Sequence, residues 1–367
     1  MFGASGFPVS CQNAGPEPVS DPRPQSPAPE RLLDLVDAFA DQPVLMLVDL
    51  VADRFVHGVP KRISREAPVL ILRWTGESVA PGGGANAAAN VRALGGRPLP
   101  VGYVGDDEAG TALLAAFAER GIPTTGVVVR TGWPTPTKTR ILAGYPTGIK
   151  QQIVRFDREE PVDLAPAETA RLRKRLEGLG GQARVAVLSD YGYGAVVPEL
   201  LPAVRRSLAA DGIVLVDSRF RLADFQGADG ATPNEEEAEA FHGGPLGEGT
   251  AADPAGHALR ERLAARFLLV TRGSRGMALF EPGGATHLPV HGTDQVADVT
   301  GAGDTVIGTF ALALAAGATP VEAALLADYA GGVVVMKMGT ATLTRDELRT
   351  AIRTDSAPLA GLQWASS

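Results

Sequence analysis

Cysteine is almost missing from this chain. Cys11 stands alone among 367 residues, so no intrachain disulfide can staple the fold, and the composition suits a reducing compartment, the cytoplasm. Long apolar runs are missing too: no stretch reaches the roughly 18 residues a membrane helix needs, and no charged-then-apolar segment opens the sequence. The expectation is therefore a protein without a membrane span or leader. Runs of Lys and Arg are absent and the net charge is −8, which argues against nucleic acid or an anionic membrane as partner. Several catalytic signatures are also lacking: G-x-x-x-x-G-K-[ST], H-R-D with D-F-G, H-E-x-x-H, and any cysteine cluster. His57, His242, His257, His287 and His291 are scattered, without metal-ligand spacing, and read as surface positions.

What is present divides the chain. Residues 1–30 carry Pro8, Pro16, Pro18, Pro22, Pro24, Pro27 and Pro29 with no apolar period, a composition expected of a disordered tail. Residues 31–40 then place Leu32, Leu33, Val36 and Phe39 on one side of an amphipathic helix. From residue 43 short, continuously apolar runs (43–48, 99–104, 185–188, 213–216, 267–270) alternate with helical stretches (83–94, 107–120, 165–179, 198–210, 234–242). Strands apolar on both faces and separated by helices imply an α/β fold, a doubly wound, mostly parallel sheet. Residues 54–74 and 126–156 instead alternate in character, as a small sheet with one exposed face would, and are expected to form a lid over the strand ends. The main domain is expected over 31–355, with 356–367 as a C-terminal tail.

Several stretches could carry chemistry. Residues 298–317, DVTGAGDTVIGTFALALAAG, read as a glycine turn opening a helix at Gly301, Ala302 and Gly303, with Asp304 in the first turn. Unpaired N–H groups and the positive helix end would hold an anion beside one carboxylate. With 44 glycines in the chain a Gly-x-Gly triplet is weak evidence, and Asp304 is the informative residue. PGGGANAAAN (81–90) is a second glycine turn, with Asn86 and Asn90 one helical turn apart. Asp49, Asp53, Ser189-Asp190-Tyr191 and Asp217-Ser218-Arg219 follow apolar strands, where ligands of open α/β sheets bind. Asn234 and Glu237 form an N-x-x-E that by itself is a capping box, and Val270 to Gly276 (VTRGSRG) suits either a phosphate chain or a tight hairpin.

Taken in this order, PGGGANAAANVRALGG (81–96), TPNEEE (232–237), VTRGSRG (270–276) and DVTGAGDTVIG (298–308) resemble the ribokinase-like, phosphofructokinase-B-type carbohydrate kinases over about residues 43–348. DRFVHGVPKRISREAPVLIL (53–72), KQQIVRFDREEPV (150–162), VLSDYGYGAV (187–196) and GGVVVMKMGTATL (331–343) are most similar to the kinase half of bacterial heptose 7-phosphate kinases. A counterpart of their adenylyltransferase half is not expected.

The resemblance implies phosphoryl transfer from ATP with Mg²⁺ to a sugar hydroxyl, the anomeric one of a heptose 7-phosphate. Asp304 would be the base, with the N–H groups of Gly301, Ala302 and Gly303 on the moving phosphoryl. Asp53, Gly83, Asn86 and Asp190 would hold the sugar, and Lys138, Arg140, Arg155 and Arg219 its existing phosphate. Asn234, Glu237, Thr271, Gly273, Gly276 and Asp328 would lie along the nucleotide, Glu237 near Mg²⁺. Asp298 and Thr300 match positions that bind a monovalent cation such as K⁺. A homodimer through the lid is expected as in many relatives. Departures cluster at the substrate end: Tyr193 stands where such kinases have lysine, Arg219 replaces the lysine of an Asp-Pro-Lys motif, Val48-Asp49 replaces Gly-Asp, and Asp328 replaces an adenine-side asparagine. The alternatives are another sugar, hexose phosphate or nucleoside as acceptor, or a non-catalytic sensor on the same fold.

Overall fold

A computed structural model describes residues 26–145, 150–292 and 296–366. Most of the expected N-terminal tail, residues 1–25, lies outside them. Strands are β1 (Pro43–Val48), β2 (Leu50–Ile63), β3 (Leu70–Gly83), β4 (Arg97–Gly105), β5 (Val127–Arg130), β6 (Thr137–Ala143), β7 (Gln151–Arg158), β8 (Val185–Asp190), β9 (Ile213–Ser218), β10 (Gly230–Ala231), β11 (Phe267–Thr271), β12 (Met277–Glu281), β13 (Gly284–Leu288) and β14 (Gln363–Ser366).

The large sheet has the order β14-β13-β12-β11-β10-β9-β8-β1-β4-β5. It is parallel from β5 to β11, and its last strands pair antiparallel. β1 shows why its apolar run is continuous. Val44, Met46 and Val48 join a core on one face while Leu45 and Leu47 join a second core on the other, so every residue is covered. Helices Gly84–Ala93, Ala302–Ala315 and Pro320–Val334 pack into the first core, and Pro166–Gly180 and Asp253–Arg262 into the second. Each fully buried Leu or Phe in these layers contributes about 1.5–3 kcal/mol.

Three expectations about boundaries change, and one helix goes unread. β5, expected in the lid, pairs parallel with β4 at the edge of the large sheet. Residues 26–30 are not a loose tail: Ser26 Oγ donates to the Leu359 carbonyl and helix Pro29–Asp37 has already begun. Residues 356–367 are not one either, since Ala357–Ala360 is helical and β14 extends the sheet through pairing with β13. Helix Pro320–Val334, buried nearly all round, escapes a periodicity search because it has no polar stripe to contrast with its apolar face.

The lid is a four-stranded sheet, β3-β2-β6-β7, antiparallel except where β2 runs parallel to β6. β2 begins two residues after β1 ends, so the lid is rooted at the C-terminal edge of the parallel strands.

Candidate active site

Asp304 sits in the first turn of helix Ala302–Ala315, only 3 % exposed. Its two carboxylate oxygens have different donors: Tyr191 Oη at 2.6 Å on Oδ1 and Asn86 Nδ2 at 3.1 Å on Oδ2. Burial pushes the carboxyl up to about 7, against the lowering effect of those two hydrogen bonds. Asn86 is itself braced by Asn90 Nδ2, which reaches its Oδ1 at 3.3 Å. That is the use of the two asparagines one turn apart. Gly301 caps the helix at φ +78°, and a Cβ there would stand 2.4 Å from Asn86 Nδ2. Glycine is required at that position on both counts. Ala302 N–H is already taken by the Val299 carbonyl at 3.2 Å, so the N–H groups of Gly301, Gly303 and Asp304 are those left without a partner at this helix start among the described residues.

The loop after β8 is nailed down by two acids. Asp49 accepts from the backbone N–H groups of Tyr191, Tyr193 and Ala195 at 2.9–3.0 Å, and burial with the charge of Asp190 still lifts it to about 6. Asp190 was expected to hold a sugar hydroxyl, but its oxygens are taken by Ser218 Oγ (2.7 Å), Arg221 Nη2 (2.9 Å) and the Gly192 N–H (3.0 Å). In this structure those bonds order the loop. Tyr193, at the position of the missing lysine, donates to Glu159 Oε1 at 2.5 Å.

Strand register puts the lid's polar residues on one face. Asp53 pairs with Lys138, and Arg140 with Arg155; residues paired across strands project to the same side. Arg140 Nη1 donates to Asp53 Oδ1 at 2.6 Å with both side chains buried. Burial nevertheless outweighs the arginine and raises the Asp53 carboxyl. Lys138 is lowered by burial and by Arg155, and its ammonium lies 5.3 Å from the Tyr191 ring centroid. Arg155 is bound to Asp157 on its own strand at 2.5 Å, and Arg219 is exposed over the Phe220 ring. Gly83, at φ +53°, faces the Tyr191 ring, where a Cβ would stand 3.3 Å from Cδ2 and Cε2.

On the far side of the Asp304 helix end lies a mostly apolar cavity of about 500 Å³. Thr271, Gly273 and Gly276 line it, with Val306, Ala302 and Gly303 at one side and His291 and Asp328 at another. Asp328 accepts from the His291 N–H at 3.0 Å, and burial pushes its carboxyl up to about 7. Asn234 and Glu237 make the reciprocal capping box of helix Glu235–His242 (2.8 and 2.9 Å). Asp217 is held well above the carboxylate range by burial and by the charges of Glu237 and Asp304. Asp298 resists its own burial through the Thr300 and Gly339 N–H groups (2.9 and 3.0 Å), which keep its carboxyl below the ordinary range.

Of the expected residues, Asn86 and Gly301 lie against Asp304, Asp53, Lys138 and Arg140 sit on the lid, and Thr271, Gly273, Gly276 and Asp328 line the cavity, whereas Asn234, Glu237, Asp298 and Thr300 do not line it. Tyr191 and Asp217 were noted after their strands but given no site role, and Arg221 was not noted. Their strand-end positions were the available signal, but the partners of Tyr191 and Arg221 lie 113 and 31 residues away in sequence.

The sequence matches the model of the pfkB family of carbohydrate kinases over residues 45–347. It is 41% identical over 347 residues to the bifunctional protein HldE of Mesorhizobium japonicum, covering 91% of this chain and 66% of that protein. HldE of Nitrosococcus oceani is 42% identical over 323 residues, 86% of this chain and 64% of its own. The chain thus spans just under two thirds of the length of these curated relatives. Among solved structures, Escherichia coli phosphofructokinase-2 in complex with substrates and products superposes with a TM-score of 0.68 at 19% identity, covering 84% of this chain and 98% of that one. Arabidopsis thaliana ribokinase complexed with ribose and ATP gives 0.65 at 20% identity, covering 86% and 100%. The sheet order and lid are therefore those of the ribokinase-like fold, and the extent of the family match decides the rest: this chain belongs to the pfkB family of carbohydrate kinases.

Proposed function

We propose that this sugar kinase transfers the γ-phosphoryl group of ATP to a hydroxyl of a sugar phosphate, the anomeric hydroxyl of a heptose 7-phosphate first among candidates, with Asp304 as the base. The observation that carries the reading is the buried Asp304 carboxylate at a helix N-terminus, between a cationic lid face and an apolar cavity. The acceptor hydroxyl gives its proton to Asp304 while its oxygen bonds to the γ-phosphorus. The bond to the ADP oxygen breaks, and ADP leaves with the electron pair. A base near neutrality suits this step, and the free N–H groups of Gly303 and Asp304 would steady charge on the transferring group.

Asp53, Asn86 and Gly83 would line the sugar side. Lys138, Arg140, Arg155 and Arg219 are the cations available to a sugar phosphate, Arg155 after leaving Asp157. The nucleotide would fill the cavity at Thr271, Gly273, Gly276 and Asp328. Among the described residues no group of three or more His, Cys, Asp and Glu is arranged to hold a metal. Asp217 and Glu237, two neighbouring acids that make no salt bridge among the described residues and whose carboxyls burial raises, fit Mg²⁺ held mainly by phosphates and water. The metal would neutralise phosphate charge. Asp298 and Thr300 remain the proposed monovalent-cation site.

The test is ADP release with Mg-ATP across heptose 7-phosphates, hexose phosphates and free sugars, with and without K⁺. Turnover on heptose 7-phosphate and a loss of about 10²- to 10⁴-fold in Asp304→Asn are expected; near-normal turnover in that variant sinks the base assignment. kcat/KM should fall as pH drops below about 7, because the base must be ionised and Asp304 titrates there. A second reading, a differently phosphorylated acceptor, is favoured by one observation: Tyr193 replaces a phosphate-seeking lysine and is bound to Glu159.

A further inference from the structure

We propose that Tyr191 is a positioning residue for the base, its hydroxyl aiming the Asp304 carboxylate and opposing its protonation. The inference rests on the reading of Asp304 as the base. Three contacts fix the tyrosine independently of Asp304. Its backbone N–H donates to Asp49 Oδ2 at 2.9 Å, its ring lies against the bare backbone of Gly83, and Lys138 of the lid stands 5.3 Å from the ring centroid. A ring so held delivers its hydroxyl to Oδ1 at 2.6 Å. Asn86 takes Oδ2, so the carboxylate cannot rotate without losing one donor. Each oxygen keeps a further lone pair for an acceptor hydroxyl.

The electrostatics make the hydroxyl matter. Asp304 faces Asp53 and Lys138 from the lid, and Tyr191 also faces Asp217 and Glu237. Burial together with these acids keeps the tyrosine protonated well above its usual range. It can therefore donate but not compete as a base. Its hydrogen bond lowers the Asp304 pKa, working against burial. Because Lys138 belongs to β6, movement of the lid would be felt at the ring that orients the base.

The experiment is the pH profile of kcat/KM for Tyr191→Phe, with thermal unfolding as the folding control. Removing a donor to a buried anion should move the acidic limb upward by about one pH unit. Activity should then be about tenfold below the parent enzyme at pH 6 and approach it near pH 9. Site-specific 3-fluorotyrosine at 191 keeps the shape but makes a stronger donor, so its limb should move to lower pH. Acidic limbs that superimpose on the parent's, or a loss equal at every pH, would overturn the proposal. Near-normal turnover in Asp304→Asn would instead remove the base reading on which it rests.

Discussion

Gly301 and Asp328 show how single atoms set this site. Alanine at 301 would meet a left-handed φ, at roughly 1–2 kcal/mol, and would drive Asn86 off Asp304. Gly301→Ala should therefore lose at least about tenfold in kcat, with a smaller change in nucleotide KM; unaltered kcat would refute this coupling. Asp328 has a folded pKa raised to about 7 from 3.8. Its contribution to stability is thus fully present below about pH 4 and is lost as pH rises to 7. Asparagine can still accept from His291 N–H and carries no charge. Asp328→Asn should raise the unfolding free energy over the parent's more at pH 8 than at pH 5, by a difference on the order of 1–4 kcal/mol, read from denaturant unfolding at the two pH values. An equal offset at both pH values contradicts this. Asp304 and Gly301 were legible in the sequence because a glycine turn, a helix start and a carboxylate are all local. The saturation of Asp190 by Arg221 and Ser218 was not, because it depends on β8 and β9 lying side by side.

Elements were legible in proportion to their pattern. β1, β8, β9 and β11 are apolar on both faces and flanked by helices, so each is found where its sequence places it. β12 and β13 pair with each other and β13 with β14, which is only QWAS. A four-residue strand carries no signal until its partner is known. β14 nonetheless covers the edge of β13, and no residue of β14 lines the cavity beside Asp304. Truncation before Gln363 should lower the melting temperature by several degrees and promote aggregation through the bared edge, with kcat/KM little changed. A melting curve identical to the parent's would show that the strand adds nothing.

At the scale of the molecule, the lid has two unlike faces. Register puts Asp53, Lys138 and Arg140 toward the site. Val154 and Phe156 alternate with Arg155 and so project to the opposite face, as does Trp74, paired with Gly58. All three are exposed, Trp74 by 63 % and Phe156 by 56 %. A sheet usually turns its apolar face inward; this one has its polar face over the site, which leaves the apolar face to be covered from outside. We infer that a second copy covers it, as the expected lid-mediated homodimer. A dimer mass at micromolar concentration in sedimentation equilibrium is expected, and Trp74→Glu with Phe156→Glu should give monomers. If the lids brace one another, those monomers should also show a higher KM for the sugar, because a free lid must be ordered at each binding event. A monomeric parent protein would leave the apolar face without its proposed partner and remove that link between assembly and affinity.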